Sequence, residues 1–249
     1  MERNPNLDLI ERIPNRPGWI IRESLIQADS NGHQALIAIS EEDERIINLV
    51  NRHLEIIDNA VGGKFLELMI KKANQCQVQK RKAVIAEIGG GILSKTAKDA
   101  LKHPMLKNRI KYINSDFFAI TDEDDQDLEI KAEDFATSSI ESESVDAVIS
   151  FQVLNYISDE KYFEFLKQVA RILAKGGEAY LDIQGAFFQT EREHATFKFA
   201  QDDSWKPEWA KYLKEQRVTL LPAFRKEKQG PPTMIYMAKT TDDGTLPMQ

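Results

Sequence analysis

The sequence predicts a doubly wound α/β fold, in which helices cover both faces of a mostly parallel sheet. From about residue 82 to residue 183, apolar runs typical of strands alternate with helical segments, which is the pattern of successive strand–helix–strand units. Two more strand-like runs follow towards the C-terminal end. A chain of 249 residues with 42% hydrophobic residues has enough apolar material for one sizeable core and an extension.

The central strands are placed where apolar runs end at polar or glycine-rich turns. They are predicted near residues 83–88, 109–115, 128–133, 145–150 and 178–183. A helix is predicted from Ser158 to Lys175, because apolar residues repeat there at helical spacing and Gly176-Gly177 supplies a stop. The final runs, Arg217–Phe224 and Thr233–Ala238, alternate in polarity and predict an antiparallel hairpin.

The first 82 residues are predicted to form a mostly helical extension. Ser40 and Asp43 resemble a capping box, and apolar residues from Ile46 to Val61 follow a helical rhythm. Before them, two apolar runs flank Asn31-Gly32 and fit either a hairpin or a short helix with a loop. The boundaries are therefore set at 1–82 for the extension, 83–239 for the main domain and 240–249 for a flexible polar tail.

Charge and composition narrow the classes of function. The chain has 33 basic and 40 acidic residues, and this net charge of −7 argues against bulk binding of nucleic acid through its phosphates. No apolar run approaches the roughly 20 residues of a membrane helix, and the first residues lack the layout of a signal peptide, so we expect a cytoplasmic protein without a membrane partner. With one cysteine and scattered histidines, the sequence indicates no metal site.

The clearest chemical signal is the segment Glu87-Ile-Gly89-Gly90-Gly91, which ends the first central strand. Glycines in such a turn permit positive φ and close approach of a ligand, and the helix that follows offers free N–H groups. The segment therefore predicts a nucleotide-like ligand. A dinucleotide fingerprint would require Gly or Ala at position 94, where this sequence has Ser94, so that match is imperfect.

The segment resembles the first motif of the class I, Rossmann-like S-adenosylmethionine-dependent methyltransferases. Their pattern of an acid, any residue, Gly, any residue and Gly matches Glu87, Gly89 and Gly91, while the third glycine of the family would fall at Leu93. The resemblance continues in order over residues 83–183 and 217–239, and no subfamily is recognised. It implies a seven-stranded sheet with one antiparallel strand, and S-adenosylmethionine as cofactor.

The resemblance also assigns residues to the cofactor. It implies that Asp116 accepts hydrogen bonds from the ribose hydroxyls, that Asp134 receives the adenine amino group and that Phe135 packs on the adenine ring. These roles suit the chemistry, since a carboxylate is an acceptor and a phenyl ring offers an apolar face. The cofactor-binding residues expected in this way are Glu87, Gly89, Gly90, Gly91, Asp116, Asp134, Phe135, Ser150 and Phe151.

The acceptor side is expected at the end of the fourth central strand. Ser150, Phe151 and Gln152 lie where open α/β sheets place their ligands, and Gln152 could orient a hydroxyl or an amine. Because a sulfonium is already an activated electrophile, the protein mainly has to position a nucleophile, and no catalytic residue is assigned. If a general base exists, Tyr156 and His194 are the candidates.

The function expected from the sequence is therefore S-adenosylmethionine-dependent methyl transfer. The acidic balance favours a small-molecule acceptor, a protein acceptor stays open, and the extension is expected to form a lid or part of the acceptor pocket. Two alternatives are a non-catalytic relative that serves as an interaction module and an NAD-dependent oxidoreductase. The missing third glycine favours the first, whereas Ser94 and the terminal hairpin speak against the second.

Overall fold

The computed structural model describes most of the chain. The described residues are 5–28, 34–49, 51–121, 125–154, 157, 159–182, 207–223 and 234–247. None of the helices in these ranges is long and apolar enough to cross a membrane.

The described part of the extension combines helices with a small antiparallel sheet. The elements in chain order are α1 (Pro5–Ile10), β1 (Trp19–Ala28), β2 (Gln34–Ser40), β3 (Ile46–Asn48), α2 (Leu54–Ala60) and α3 (Lys64–Val78). Strand β2 pairs with both β1 and β3, which gives a three-stranded sheet in the order β1-β2-β3. The extension is thus mixed, and the prediction that it is mostly helical is wrong.

The capping-box interpretation of Ser40 fails for a local reason. The Ser40 hydroxyl does accept hydrogen bonds from the backbone N–H groups of Glu42 and Asp43, at 3.3 and 3.4 Å. However, the backbone N–H of Ser40 donates to the carbonyl of Arg45 at 2.9 Å, which closes a turn and sends Ile46 back along β2. The helix that was expected from this point begins only at Leu54. The hairpin alternative for the preceding runs is confirmed, because Trp19 pairs with Ser40, although Asn31-Gly32 lies outside the described residues.

The main domain contains a seven-stranded sheet among the described residues. Its strands are β4 (Ala83–Ile88), β5 (Ile110–Asp116), β6 (Leu128–Ala132), β7 (Val145–Ser150), β8 (Leu173–Asp182), β9 (Val218–Ala223) and β10 (Met234–Lys239). Their order is β6-β5-β4-β7-β8-β10-β9, with β10 antiparallel to both of its neighbours and the other pairs parallel. The predicted fold class and the terminal hairpin are confirmed.

Helices cover both faces of this sheet. They are α4 (Lys95–Lys102), a 3₁₀ turn (Phe135–Thr137), α5 (Asp159–Ile172) and α6 (Pro207–Glu215). The predicted helix from Ser158 to Lys175 corresponds to α5, which ends at Ile172 because the next residue, Leu173, already pairs with Val145 as the start of β8. The predicted flexible tail begins with a turn, in which the backbone N–H of Thr241 donates to the carbonyl of Thr245 at 2.9 Å.

The extension packs on the end of the sheet that carries the glycine turn. Its apolar residues form a cluster with residues that follow β4 and β5, and we call this set the extension cluster. Its buried members are Ile13, Leu36, Ala38, Leu49, Ile92, Phe118 and Ile120. The extension is therefore held by buried apolar contacts at the end of the sheet where a ligand of an α/β fold would bind.

Candidate functional site

A cavity of about 600 Å³ opens at the carboxyl ends of β4 to β7. The order of strands reverses between β4 and β7, which is the switch point where open α/β sheets bind ligands, and the volume is that of a small-molecule site. Trp19, Arg45, Leu49 and Arg52 of the extension form part of the wall. Most of the predicted site residues line the cavity, namely Glu87, Gly89, Gly90, Gly91, Asp116, Asp134, Phe135, Phe151 and Gln152.

The glycine turn has the backbone geometry that its sequence predicts. Gly89 and Gly91 have φ values of 77° and 80°, which is the left-handed region that favours glycine. A Cβ atom on Gly90 would lie 2.3 Å from Asn114 Oδ1 and 2.6 Å from Glu87 Oε2, so packing also forbids a side chain there. At Leu93, where the family would have its third glycine, the backbone N–H instead donates to Asn51 Oδ1 of the extension at 2.7 Å.

Glu87 is buried beneath this turn. Tyr112 Oη donates a hydrogen bond to Glu87 Oε2 at 3.0 Å. Burial raises the pKa of Glu87 to about 7, although hydrogen bonds from Tyr112 and Thr96 act in the opposite direction. Glu87 therefore titrates near neutral pH and is not a permanently ionised acid.

Asp116 lies at the end of β5, and its carboxylate accepts hydrogen bonds from two backbone segments beside the cavity. Its Oδ2 accepts the backbone N–H of Gly91 at 3.0 Å and its Oδ1 accepts that of Phe118 at 2.8 Å. Burial raises its pKa, and the two N–H groups and the positive charge of Arg16 offset part of this rise. Each carboxylate oxygen has two acceptor positions, so both can accept a further hydroxyl donor.

Ser115 precedes Asp116 and gives an independent indication of a polar ligand. It lines the cavity and is buried, and its hydroxyl has no hydrogen-bond partner among the residues that the structure describes. Buried hydroxyl groups are usually satisfied, so a polar ligand beside β5 would remove a cost of folding. The residues at this strand end thus fit the sugar of a nucleoside.

Asp134 and Phe135 follow β6. Asp134 caps the 3₁₀ turn through its Oδ1, which accepts the backbone N–H of Ala136 at 2.9 Å, and its Oδ2 pairs with Lys161 Nζ at 3.1 Å. Phe135 is buried against Phe165, with ring centroids 4.9 Å apart, while it also lines the cavity. Lys161 lies on α5, and no local pattern in the sequence indicates that it belongs to a site.

The end of β7 forms the opposite wall. Phe151 lies under the guanidinium of Arg52, with 4.8 Å between Arg52 Cζ and the ring centroid, and Gln152 Oε1 accepts a hydrogen bond from Arg52 Nη1 at 2.7 Å. Gln152 has a φ of 60°, which is strained for a residue with a side chain and is frequent at functional sites.

Three expected site residues are not placed at the cavity. Ser150 is fully buried and its hydroxyl donates to the carbonyl of Ile88 at 3.1 Å, so it joins β7 to β4 and is not part of the cavity wall. Tyr156 and His194 lie outside the described residues, and their proposed role as a base stays a prediction.

One segment of the main domain is similar to a known family of domains. Residues 93–181 match the family model described as a methyltransferase domain. This segment is therefore similar to methyltransferase domains, in agreement with the resemblance that the sequence indicated, and no subfamily is identified. A search of curated proteins found no match.

Several solved structures resemble the chain. A TehB-like S-adenosylmethionine-dependent methyltransferase from Corynebacterium glutamicum is 15% identical with a TM-score of 0.43, and the match covers 68% of this chain and 87% of that one. The 1,6-didemethyltoxoflavin-N1-methyltransferase of Burkholderia thailandensis is 14% identical with a TM-score of 0.41, covering 89% and 100%. The CurJ carbon methyltransferase is 18% identical with a TM-score of 0.42, covering 65% of this chain, which spans about half (49%) of the CurJ structure. Likenesses this distant say nothing about the acceptor of this chain.

Proposed function

We propose that this protein binds S-adenosylmethionine in the cavity and directs its methyl group to a small-molecule acceptor. The observation that carries the proposal is the convergence of the glycine turn, Asp116 and Asp134 on one cavity at the switch point of the sheet. The Ser115 hydroxyl, which has no hydrogen-bond partner in the described part of the chain, supports it, because this group lies beside the acid that we assign to the ribose.

The residues present fit the cofactor as follows. Asp116 and Ser115 hold the ribose, Asp134 accepts the adenine amino group, and the turn from Gly89 to Gly91 lies against the methionine portion. When bound, S-adenosylmethionine supplies a methyl group on an electrophilic sulfonium. The protein's own task is to hold the acceptor in line with that group and to exclude water.

The acceptor end is formed by Phe151, Gln152 and Arg52. The amide of Gln152 offers both a donor and an acceptor to a hydroxyl or an amine, and Arg52 fixes the amide through its hydrogen bond. Trp19, Ile47 and Leu49 of the extension line the same cavity and form part of its wall. A cavity partly closed by the extension favours a small molecule over a folded protein as acceptor.

Thermal unfolding tests the cofactor assignment. S-adenosylmethionine or S-adenosylhomocysteine at 100 times its dissociation constant should stabilise the native protein by about 2.7 kcal/mol. Asp134→Ala should reduce this ligand-dependent shift. Asp242→Ala is a matched control, because Asp242 is also an exposed aspartate paired with a lysine, Lys175, and it lies away from the cavity.

The outcomes separate the candidate functions. No shift with either S-adenosyl ligand at millimolar concentration contradicts the proposal, and a shift with NAD alone favours an oxidoreductase. Transfer of a labelled methyl group should then be followed from the donor into small molecules and into protein, each fractionated from a cell extract. Label in the small-molecule fraction supports the proposed acceptor class, whereas label confined to protein contradicts it, and binding without any transfer favours the interaction module.

A further inference from the structure

Arg16 of the extension connects the two strand ends that carry the acids of the site. Its Nε donates to the carbonyl of Phe117 and its Nη2 to the carbonyl of Ala132, both at 2.7 Å. Its Cζ lies 4.8 Å from the centroid of the Phe117 ring. Arg16 is about a hundred residues away from both acceptors in the sequence, so these bonds fix tertiary structure and not a local turn.

These carbonyls lie at the point where strand pairing stops. The last paired residues of β5 and β6 are Asp116 and Ala132. Beyond these residues the two strands are no longer paired. Phe117 follows β5, and Glu133 and Asp134 follow β6. A planar guanidinium, whose N–H donors have a fixed arrangement, can bind two carbonyl groups at a set distance. Arg16 thereby links β5 and β6 at the point where the backbone hydrogen bonds between them end.

The charge of Arg16 acts on the same site. Arg16 is one of the groups that offset the effect of burial on the pKa of Asp116, which favours the ionised form of this carboxyl group. An ionised Asp116 is an acceptor only, which is what two ribose hydroxyls require.

We propose that Arg16 is a positioning residue for cofactor binding, which sets the placement of Asp116 relative to Asp134 without contacting the cofactor. This inference rests on the proposed function. It gives the extension a role in recognition of the nucleoside, beyond its role in covering the cavity. If Arg16 positions Asp116, its loss should weaken the preference for a ribose that has both hydroxyls, because the acid no longer meets them in the right geometry.

Isothermal titration with two probes measures that preference. The probes are S-adenosylhomocysteine and its analogue with 2′-deoxyribose, and the preference is the ratio of their dissociation constants. In Arg16→Met, we expect binding of S-adenosylhomocysteine to weaken about tenfold, the effect of losing one hydrogen bond from a ribose hydroxyl to a charged acceptor, while binding of the deoxy analogue changes little. Arg12→Met, an exposed arginine of the same segment, should keep the wild-type preference.

Several results would overturn the inference. Arg16→Met that binds both probes as tightly as the wild type contradicts it, and so does an equal loss for both probes, which indicates a general packing role. If Arg16→Met does not fold, Arg16→Lys is measured instead. Its ammonium group keeps the positive charge but lacks the two directed N–H donors of the guanidinium. An unchanged ratio in this variant again contradicts the inference. If the wild-type protein binds neither probe, the proposed function fails and this inference fails with it, whereas binding with an unchanged ratio removes this inference alone.

Discussion

At the scale of single residues, the glycine turn is fixed by packing as well as by backbone conformation. Gly89 needs a positive φ, and a Cβ atom there would lie 2.0 Å from Val153 Cγ2. Valine is stiff about χ1, so this contact cannot be relieved by a simple rotation. The glycine motif thus reflects the protein's own structure in addition to any ligand.

Gly89→Ala should therefore cost more stability than a change that only strains the backbone. Gly18→Ala is the control, because Gly18 has the same φ of +77° and nothing lies within 4 Å of its Cβ position. Gly18→Ala should cost about 1–2 kcal/mol for the left-handed conformation. Gly89→Ala should cost about 1–3 kcal/mol more, from overpacking. Urea unfolding compares the two, and equal losses would show that Val153 yields.

The pKa of Glu87 predicts a pH dependence of stability. Its pKa rises from 4.5 to about 7 on folding, so the folded state holds the proton more tightly. The contribution is complete below pH 4.5 and is lost as the pH rises to 7, at about 1.4 kcal/mol per pH unit or about 3 kcal/mol in all.

Glu87→Gln should remove this dependence, because an amide does not titrate but still accepts the hydrogen bond from Tyr112. Urea unfolding from pH 4.5 to 8 should give a flatter curve for Glu87→Gln than for the wild type. Glu67→Gln, an exposed glutamate on α3, should follow the wild-type curve. A wild-type slope that persists in Glu87→Gln would show that another group is responsible.

At the scale of elements, helix α3 is joined to the sheet by a buried charged cluster behind the cavity. Lys72, on α3, is buried, pairs with the carboxylate of Glu178 on β8, and also donates to the carbonyl of Gly176 at 2.6 Å. Lys71 and Tyr236 donate to the same carboxylate at 2.9 and 2.6 Å. Burial alone would raise the pKa of Glu178, yet these donors hold it below its usual value.

Lys72→Met should be strongly destabilising, because it leaves a buried carboxylate with fewer partners. We expect a loss of about 3 kcal/mol, near the lower end for a broken buried pair, since Lys71 and Tyr236 remain. Lys64→Met on the same helix removes only an exposed pair with Glu67 and should cost less than about 0.5 kcal/mol. Unfolding in urea measures both, and similar losses would refute a stabilising role of the buried cluster.

Strands whose two faces are both buried could be predicted from the sequence. Short strands, which form only through contacts with distant residues, could not. Strands β4 and β7 are mostly apolar runs, as buried parallel strands should be, and both predictions match the structure at 83–88 and 145–150. Strand β3 has only three residues, and they belong to the apolar pattern from Ile46 to Val61 that predicts a helix.

The residues of the candidate site also differ in whether the sequence could predict them. Glu87, the glycines, Asp116 and Asp134 stand at strand ends, where the topology alone brings them together. Arg16 and Asn51 reach the site through contacts with residues 101 and 42 positions away, Phe117 and Leu93, and no local pattern indicates such contacts. The direction of the Ser150 hydroxyl, which donates to the neighbouring carbonyl of Ile88, could not be predicted from its position at the end of an apolar strand.

At the scale of the whole molecule, the extension and the main domain share a core. The extension cluster joins Leu36 and Leu49 to Ile92, Phe118 and Ile120 of the main domain. Because neither part buries these residues alone, we expect the described parts to unfold in one transition.

Calorimetry of paired leucine variants checks this expectation. Leu36→Ala should lower the stability of the entire protein by about 2–5 kcal/mol and keep a single transition. Leu25→Ala, in the same small sheet but 82% exposed, should change it by less than about 0.5 kcal/mol. Two separate transitions, with only one displaced by Leu36→Ala, would show that the extension folds independently.

The position of Trp19 gives the protein an optical reporter of its own. Trp19 lines the cavity, lies edge-on to Phe117 and Phe118 at 6.3 and 5.6 Å, and has the Arg45 guanidinium 6.0 Å from its ring. An aromatic or charged ligand that enters will change the surroundings of this indole, whereas Trp209 is buried and does not line the cavity. Ligand occupancy should therefore be visible as a change in intrinsic fluorescence that disappears in Trp19→Phe and persists in Trp209→Phe, without any added label.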